Sequence, residues 1–251
     1  MMFFRQFARN TPPPAIEPVL VAFPVLHGGE IAATAAGEPQ GGDFYDSLRV
    51  NPVRVLFGLL DVAGHRRDNQ QILARAQQVF REAGTELLSP AEVNEADAMA
   101  GLCLRLNRAL METGSTVHPC PAFAGCYNED LGTVCYVNAG HTPGLVRDNS
   151  GVAELAATGL PLGLFSHVTY DSPTVALEPG GVLLLVSRGV VEATCEGQEY
   201  GIERVKDMLR RDTREAAPAI CATVIEAAQT FSCHQPDRND LTALALVRSG
   251  R

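Results

Sequence analysis

The chain has 251 residues, of which 46% are hydrophobic and 20% charged, enough apolar material for one large globular domain or two small ones. Its formal net charge is −9, and this acidity argues against nucleic acid or an anionic membrane as the main partner. Residues 1–19 read as a tail or linker, because Thr11-Pro12-Pro13-Pro14 is linker composition. A single domain is expected over 20–248. Strands open it: Ile31 to Ala36 is small and apolar, Phe44 to Val50 alternates, and Val53 to Leu60 is almost continuously apolar, as in a strand buried on both faces. A helix is predicted over 68–87, where Ile72, Ala76, Val79, Phe80 and Ala83 recur at helical spacing. Ser89-Pro90-Ala91-Glu92 reads as the start of a second helix, with Ser89 as N-cap, running to about Met111 with Leu102, Leu106 and Leu110 on one face.

Strands then return at Ala122 to Tyr127, Gly132 to Val137, Gly144 to Arg147, Val152 to Leu155 and Val182 to Ser187. Turn residues such as Asp148-Asn149-Ser150-Gly151 separate them. Helices follow at about 201–211 and 216–231, and Leu241 to Val247 is a final strand. Strands, two helices, strands, two helices and a strand make an α+β order. It predicts two sheets with helix pairs covering their outer faces.

The seven cysteines are irregularly spaced, which reads as reduced thiols in a cytoplasmic protein rather than a disulfide framework. His118, Cys120, Cys126, Cys233 and His234 include zinc-binding residue types, but no C-x-x-C pair exists to build a site on. No apolar run reaches the length of a membrane span, and Met1 to Arg5 lacks the apolar stretch of a signal peptide.

The chemistry concentrates in Gly41-Gly42-Asp43-Phe44-Tyr45-Asp46 and Leu60-Asp61-Val62-Ala63-Gly64-His65. A glycine pair before one aspartate and an apolar strand ending in another can bring two carboxylates together. Such a pair repels itself and raises its own pKa unless a cation lies between. Oxygen ligands with open water positions suit Mg²⁺ or Mn²⁺.

These stretches, with Asn138-Ala139-Gly140-His141-Thr142-Pro143, Gly159-Leu160-Pro161-Leu162-Gly163, Tyr200-Gly201-Ile202-Glu203-Arg204 and Asn239-Asp240-Leu241-Thr242, occur in the order of a known family. The chain resembles the metal-dependent PPM phosphatases over about 20–248, and within them the stage II sporulation E-like bacterial branch. The resemblance implies an αββα sandwich whose site holds two divalent ions sharing an attacking hydroxide. Asp43 would hold one ion, Asp61 would bridge both, and the Val62 carbonyl would complete the first ion's ligands. The implied partner is a phosphorylated signalling protein of the anti-sigma antagonist type.

The chain departs from that pattern at the second ion. The family's Thr/Ser-Asp-Gly is Ser187-Arg188-Gly189 here, its Asp-Asp-x-Thr is Asn239-Asp240-Leu241-Thr242, and its Gly-His-Gly is Gly64-His65-Arg66. Asn239 falls on the ligand position, with Asp240 beside it. Arginine stays protonated and cannot ligate a metal, so at most one ion is expected, or none. Catalysis is expected to be weakened or lost, the alternative being a non-catalytic phosphoprotein-binding module. Arg188 is expected to turn inward onto Asp61 as a built-in cation in a partly buried pair, against a solvent-facing alternative. Asp46 is open between a residue behind the ligands and a turn aspartate. His65 is open between a catalytic role and a loop cap, and Arg66 between a phosphate contact and a solvated face. His141 is expected to hold loop backbone rather than move protons.

Overall fold

The computed structural model describes residues 23–36, 42–62, 66–113, 119–212, 216–232 and 240–250. In chain order it runs β1 (Gly29–Ala36), β2 (Asp43–Arg49), β3 (Arg54–Asp61), α1 (Arg66–Leu88), α2 (Glu95–Thr113), β4 (Ala122–Asn128) and β5 (Thr133–Ala139). It continues with β6 (Gly144–Asp148), β7 (Gly151–Leu155), β8 (Thr174–Ala176), β9 (Val182–Val186), α3 (Arg188–Val191), β10 (Thr194–Cys195) and β11 (Gln198–Glu199). It ends with α4 (Gly201–Arg211), α5 (Ala217–Phe231) and β12 (Leu241–Arg248).

Two five-stranded sheets form, with strand orders β1-β12-β9-β6-β7 and β2-β3-β4-β5-β8, and their paired strands are antiparallel. Alternation along each strand divides its side chains between two faces. In β3, Leu56 and Leu60 pack with Ile72, Phe80 and Leu102 of α1 and α2, while Val55, Phe57 and Leu59 point into the layer between the sheets. In β9 and β12, Leu183, Leu185, Leu244 and Leu246 meet them there, and Leu184 and Ala243 pack with Val224 of α5 on the outer side. The result is the αββα sandwich that the element order predicts.

Between the sheets Phe123 stacks on Tyr136 with ring centroids 5.3 Å apart. The Asn-Ala-Gly-His turn needs its glycine. Gly140 has φ +69°, and a Cβ there would come within 2.7 Å of Pro161. The Gly159 to Gly163 stretch bridges back to the sheet, with Cys120 N donating to Leu162 O at 2.8 Å and Leu162 N returning the bond.

The second helix starts at Glu95 rather than at Ser89. Asn94 is its cap, accepting from Ala96 N at 3.1 Å. The Ser89 to Glu92 segment is held open because buried Arg54 takes its carbonyls, with Nη1 2.8 Å from Pro90 O and Nη2 3.2 Å from Ala91 O. Arg54 Nε also meets Glu95 Oε1 at 2.6 Å.

The cysteine expectation needs one correction. Cys103, Cys120, Cys126, Cys135 and Cys221 are free and buried, but Cys195 is disulfide-bonded. The free thiols sit inside the packed layers, whereas Cys195 lies in the small β10–β11 hairpin. Burial pushes Cys120 up to about 12, with Asp61 adding to it, so this group is a neutral thiol rather than a thiolate ligand. His118, Cys233 and His234 lie outside the described residues.

Asp46 proves to be a clamp between β2 and α1. It is fully buried and accepts from Arg81 Nε and Nη2, each at 2.6 Å, and from Ser47 N at 2.8 Å. Removing the guanidinium strands a buried carboxylate. Arg81→Ala is therefore expected to lower unfolding stability by about 3 kcal/mol in denaturant titration, and Asp46→Ala in the same chain should return part of that loss. A single variant as stable as the parent would show that the pair holds nothing.

Candidate functional site

The site is built by strand parity. Asp43 shares the face of Tyr45, and Asp61 the face of Leu59, so both point between the sheets. The β2–β3 register sets them directly opposite each other. From the other sheet, Thr242 and Asp240 share the parity of Leu244, and Ser187 that of Leu185. Five polar side chains thus converge at one end of the layer whose middle is apolar.

Hydrogen bonds fix their mounting. Ser187 N donates to Thr242 O at 2.8 Å, Thr242 N donates to Ser187 Oγ at 3.0 Å, and Ser187 Oγ donates to Asp240 O at 3.0 Å. Asp240 Oδ2 accepts from Asp43 N at 3.1 Å, which ties the two sheets together. Val62 N donates to Gly42 O at 3.2 Å, closing the strand pair beside Asp61.

The electrostatics are unfavourable for ionised carboxylates. Burial pushes Asp43 up to about 7; the Thr242 hydroxyl opposes this, Asp61 and Asp240 reinforce it, and Ser187 opposes it more weakly. Thr242 acts here by proximity, since Asp43 Oδ2 and Thr242 Oγ1 are both sealed from solvent and neither makes a hydrogen bond of good geometry. Burial also raises Asp61, Arg188 pulls it down, and Glu192 and Asp240 push it up.

Arg188, the first residue of α3, turns toward the site. Its Nε lies 3.4 Å from Asp61 Oδ2 and 3.7 Å from Glu192 Oε1. The side chain is 48% exposed, so this is a rim pair of the kind that holds about 0–1 kcal/mol. It is not the partly buried pair that the sequence led one to expect. Glu192 has no counterpart among the sequence candidates. Its signal in the sequence is its place four residues after Arg188, where it caps the C-terminus of the four-residue α3.

His141 is buried and neutral. Burial pushes its pKa down to about 4, and its Nδ1 lies 3.1 Å from Thr142 O while its backbone N–H donates to Asn138 Oδ1 at 2.8 Å. It braces the β5–β6 turn, as expected. Asn239 and His65 lie outside the described residues; Arg66 starts α1, and its side chain is likewise not described.

The side-chain donors here are all oxygens, the type that hard cations take. An orphaned carboxylate oxygen, an opposed carboxylate and a raised pKa are what a bound divalent ion relieves. Among the described residues, no group of three His, Cys, Asp or Glu side chains stands ready-made around a common point. Arg188 lies on the flank of Asp61.

The pH consequence follows from the raised pKa of Asp43. An acid that binds its proton more tightly folded than unfolded contributes stability below about pH 4 that is lost as the pH rises through about 7. Without metal, Asp43→Asn should therefore melt above the parent at pH 8, and the gain should vanish near pH 4. An Asp43→Asn chain that melts below the parent at pH 8 would refute the account of Asp43 as a carboxyl destabilised by burial and by its acidic neighbours.

Comparison with known proteins fits this geometry. The family model described as Stage II sporulation protein E (SpoIIE) matches residues 51–249. RsbP of Bacillus subtilis (strain 168), named a phosphoserine phosphatase, is 30% identical over 160 residues, which are 63% of this chain and 38% of that protein. The chain thus spans less than half of that relative's length. The SiaA-PP2C domain of Pseudomonas aeruginosa superposes with a TM-score of 0.73 at 21% identity, covering 87% of this chain and 84% of that one. The RsbU and RsbW domains of a Mycobacterium tuberculosis protein superpose with a TM-score of 0.76 at 21% identity, covering 92% of this chain and 63% of that one. At such identities the superpositions speak for the fold. With the family match spanning most of the chain, this protein belongs to the stage II sporulation protein E family of PPM-type phosphatase domains.

Proposed function

We propose that this domain acts in bacterial signalling on phosphorylated serine or threonine of a small protein, with catalysis weakened by the residues at 188 and 239. The observation that carries the reading is the pairing of Asp43 opposite Asp61, with an orphaned oxygen on Asp43, Asp240 bonded to the Asp43 backbone and a guanidinium beside Asp61. A bound Mg²⁺ or Mn²⁺ ion would supply a polarised water as nucleophile and offset charge developing on the phosphoryl group. Asp43 and Asp61 would hold that ion, with the Val62 carbonyl completing the protein's share. Asp240 keeps Asp43 in place through the Asp43 N–H and adds charge to the site. Asn239 offers a carbonyl oxygen without charge, and Arg188 offers no ligand at all. The set therefore supports one ion and not two.

The name of RsbP, a phosphoserine phosphatase, favours phosphoserine. A substrate of the anti-sigma antagonist type fits the acidic chain only if it brings basic residues to the rim, and it places the work in the cytoplasm. No helix among the described residues is long and apolar enough to cross a membrane. The Arg188–Asp61 contact favours a second reading as well, in which the site is neutralised without metal and the domain binds phosphoproteins without cleaving them.

Titration calorimetry with Mn²⁺ should give at most one ion per chain. Hydrolysis of a phosphoserine peptide in Mn²⁺ should be very slow, and Arg188→Asp with Asn239→Asp should raise it. Arg188→Asp alone should do little, since ligands acting as a unit are not additive. Two tight ions, or fast hydrolysis that EDTA abolishes, would overturn the weakened-site reading.

A further inference from the structure

Arginines in this fold are of two kinds. Arg81 and Arg54 are tightly bound, with hydrogen bonds of 2.6 Å to Asp46 and Glu95. Arg188 is held by charge alone. Its ion pairs are 3.4 and 3.7 Å long, its side chain makes no hydrogen bond among the described residues, and it is half exposed at the mouth of the carboxylate cluster. A guanidinium carries five N–H donors in a planar fork that matches two oxygens of a phosphoryl group. In a site facing phosphorylated side chains, an unused fork beside Asp61 has an evident ligand.

We propose that Arg188 binds the phosphoryl group of the substrate, and that Glu192 is its internal competitor, holding the guanidinium until a phosphorylated side chain takes it. This inference rests on the one-ion reading of the site. Charge sets the order of binding. Asp43, Asp61, Asp240 and Glu192 together repel a phosphoryl dianion, and Arg188 offsets only one of them. A divalent ion must therefore enter first. The ion and Arg188 then match the charge of the three aspartates, and release of Glu192 toward solvent leaves the fork to the phosphoryl oxygens. The chemistry required of Arg188 is binding alone, with no bond made or broken at the arginine.

The test is calorimetric titration of phenylphosphonate, a phosphoryl group that cannot be hydrolysed, into the full chain in saturating Mg²⁺ and again in EDTA. The parent should bind in Mg²⁺ and not in EDTA. Arg188→Ala should weaken binding about tenfold or more, as loss of charge-assisted hydrogen bonds does. Arg188→Lys should recover part of it, because lysine keeps the charge and loses the fork. Glu192→Gln should tighten binding several-fold, at unchanged Mg²⁺ affinity measured without phosphonate. Phosphonate binding that is the same in the parent and Arg188→Ala overturns this inference alone, as does weaker binding in Glu192→Gln. A Glu192→Gln chain with reduced Mg²⁺ affinity makes Glu192 a ligand of the ion and overturns the competitor role. Failure of the parent to bind Mg²⁺ at all overturns the one-ion reading beneath it. Circular dichroism of each variant separates lost binding from lost folding.

Discussion

Like charges held together against their own repulsion are the constraint on which this structure turns. Asp43 and Asp61 face one another because the β2–β3 register pairs them directly. Asp240 is brought in from the second sheet by a bond to the Asp43 backbone, not by any attraction to its carboxylate. The reciprocal bonds between Ser187 and Thr242 fix the strand ends that carry these groups. The apolar layer behind them, from Phe57 to Leu244, is what makes the arrangement affordable. Hydrophobic burial over whole strands far exceeds the local electrostatic cost at their tips.

Charge is managed differently in the two halves of the sandwich. Between the sheet and α1, Asp46 is saturated by Arg81 and a backbone N–H, and the pair packs without a gap in its hydrogen bonding. Arg54 does the same work at the far edge, joining β3 to the segment before α2 and to Glu95. These pairs fix one arrangement of helices on the sheet. At the site the bonding is left incomplete: a carboxylate oxygen and a threonine hydroxyl are sealed from water and idle, and Arg188 beside Asp61 is loose. The contrast lies in geometry rather than residue type, since aspartate and arginine appear in both places.

The sequence was legible where periodicity speaks. The strands around Asp43, Asp61 and Thr242, the helix face at Leu102, Leu106 and Leu110, and the two-sheet order all follow from patterns of two and of 3.6. It misled at Ser89-Pro90, where a good local start signal lost to a distant arginine that took the carbonyls a helix would need. The short elements, β8, α3 and the β10–β11 hairpin, are too brief to carry a period. Asp46 was ambiguous because Gly-Gly-Asp-Phe-Tyr-Asp places its two aspartates three apart, an odd separation that sends them to opposite faces of a strand. One therefore serves the site and the other the helix. Cys195 could not be told from the buried thiols by spacing, since what separates them is the layer each lies in.

On the proposed register, an arginine rather than an acid at 188 shifts the local charge by two, which would be more than the loss of a ligand. A site with a fourth carboxylate is neutral only with two divalent ions, and removing one ion leaves it strongly anionic. With Arg188 in place, a single divalent ion together with the guanidinium would balance the three aspartates on the proposed reading. Glu192 rests near Arg188 because it stands where positive charge is offered, and it sits at the surface, so water can take it back. On this account the residues at 188 and 192 belong together. On the proposed reading they would make a site for one ion and a phosphoryl group rather than a two-ion site with a part missing.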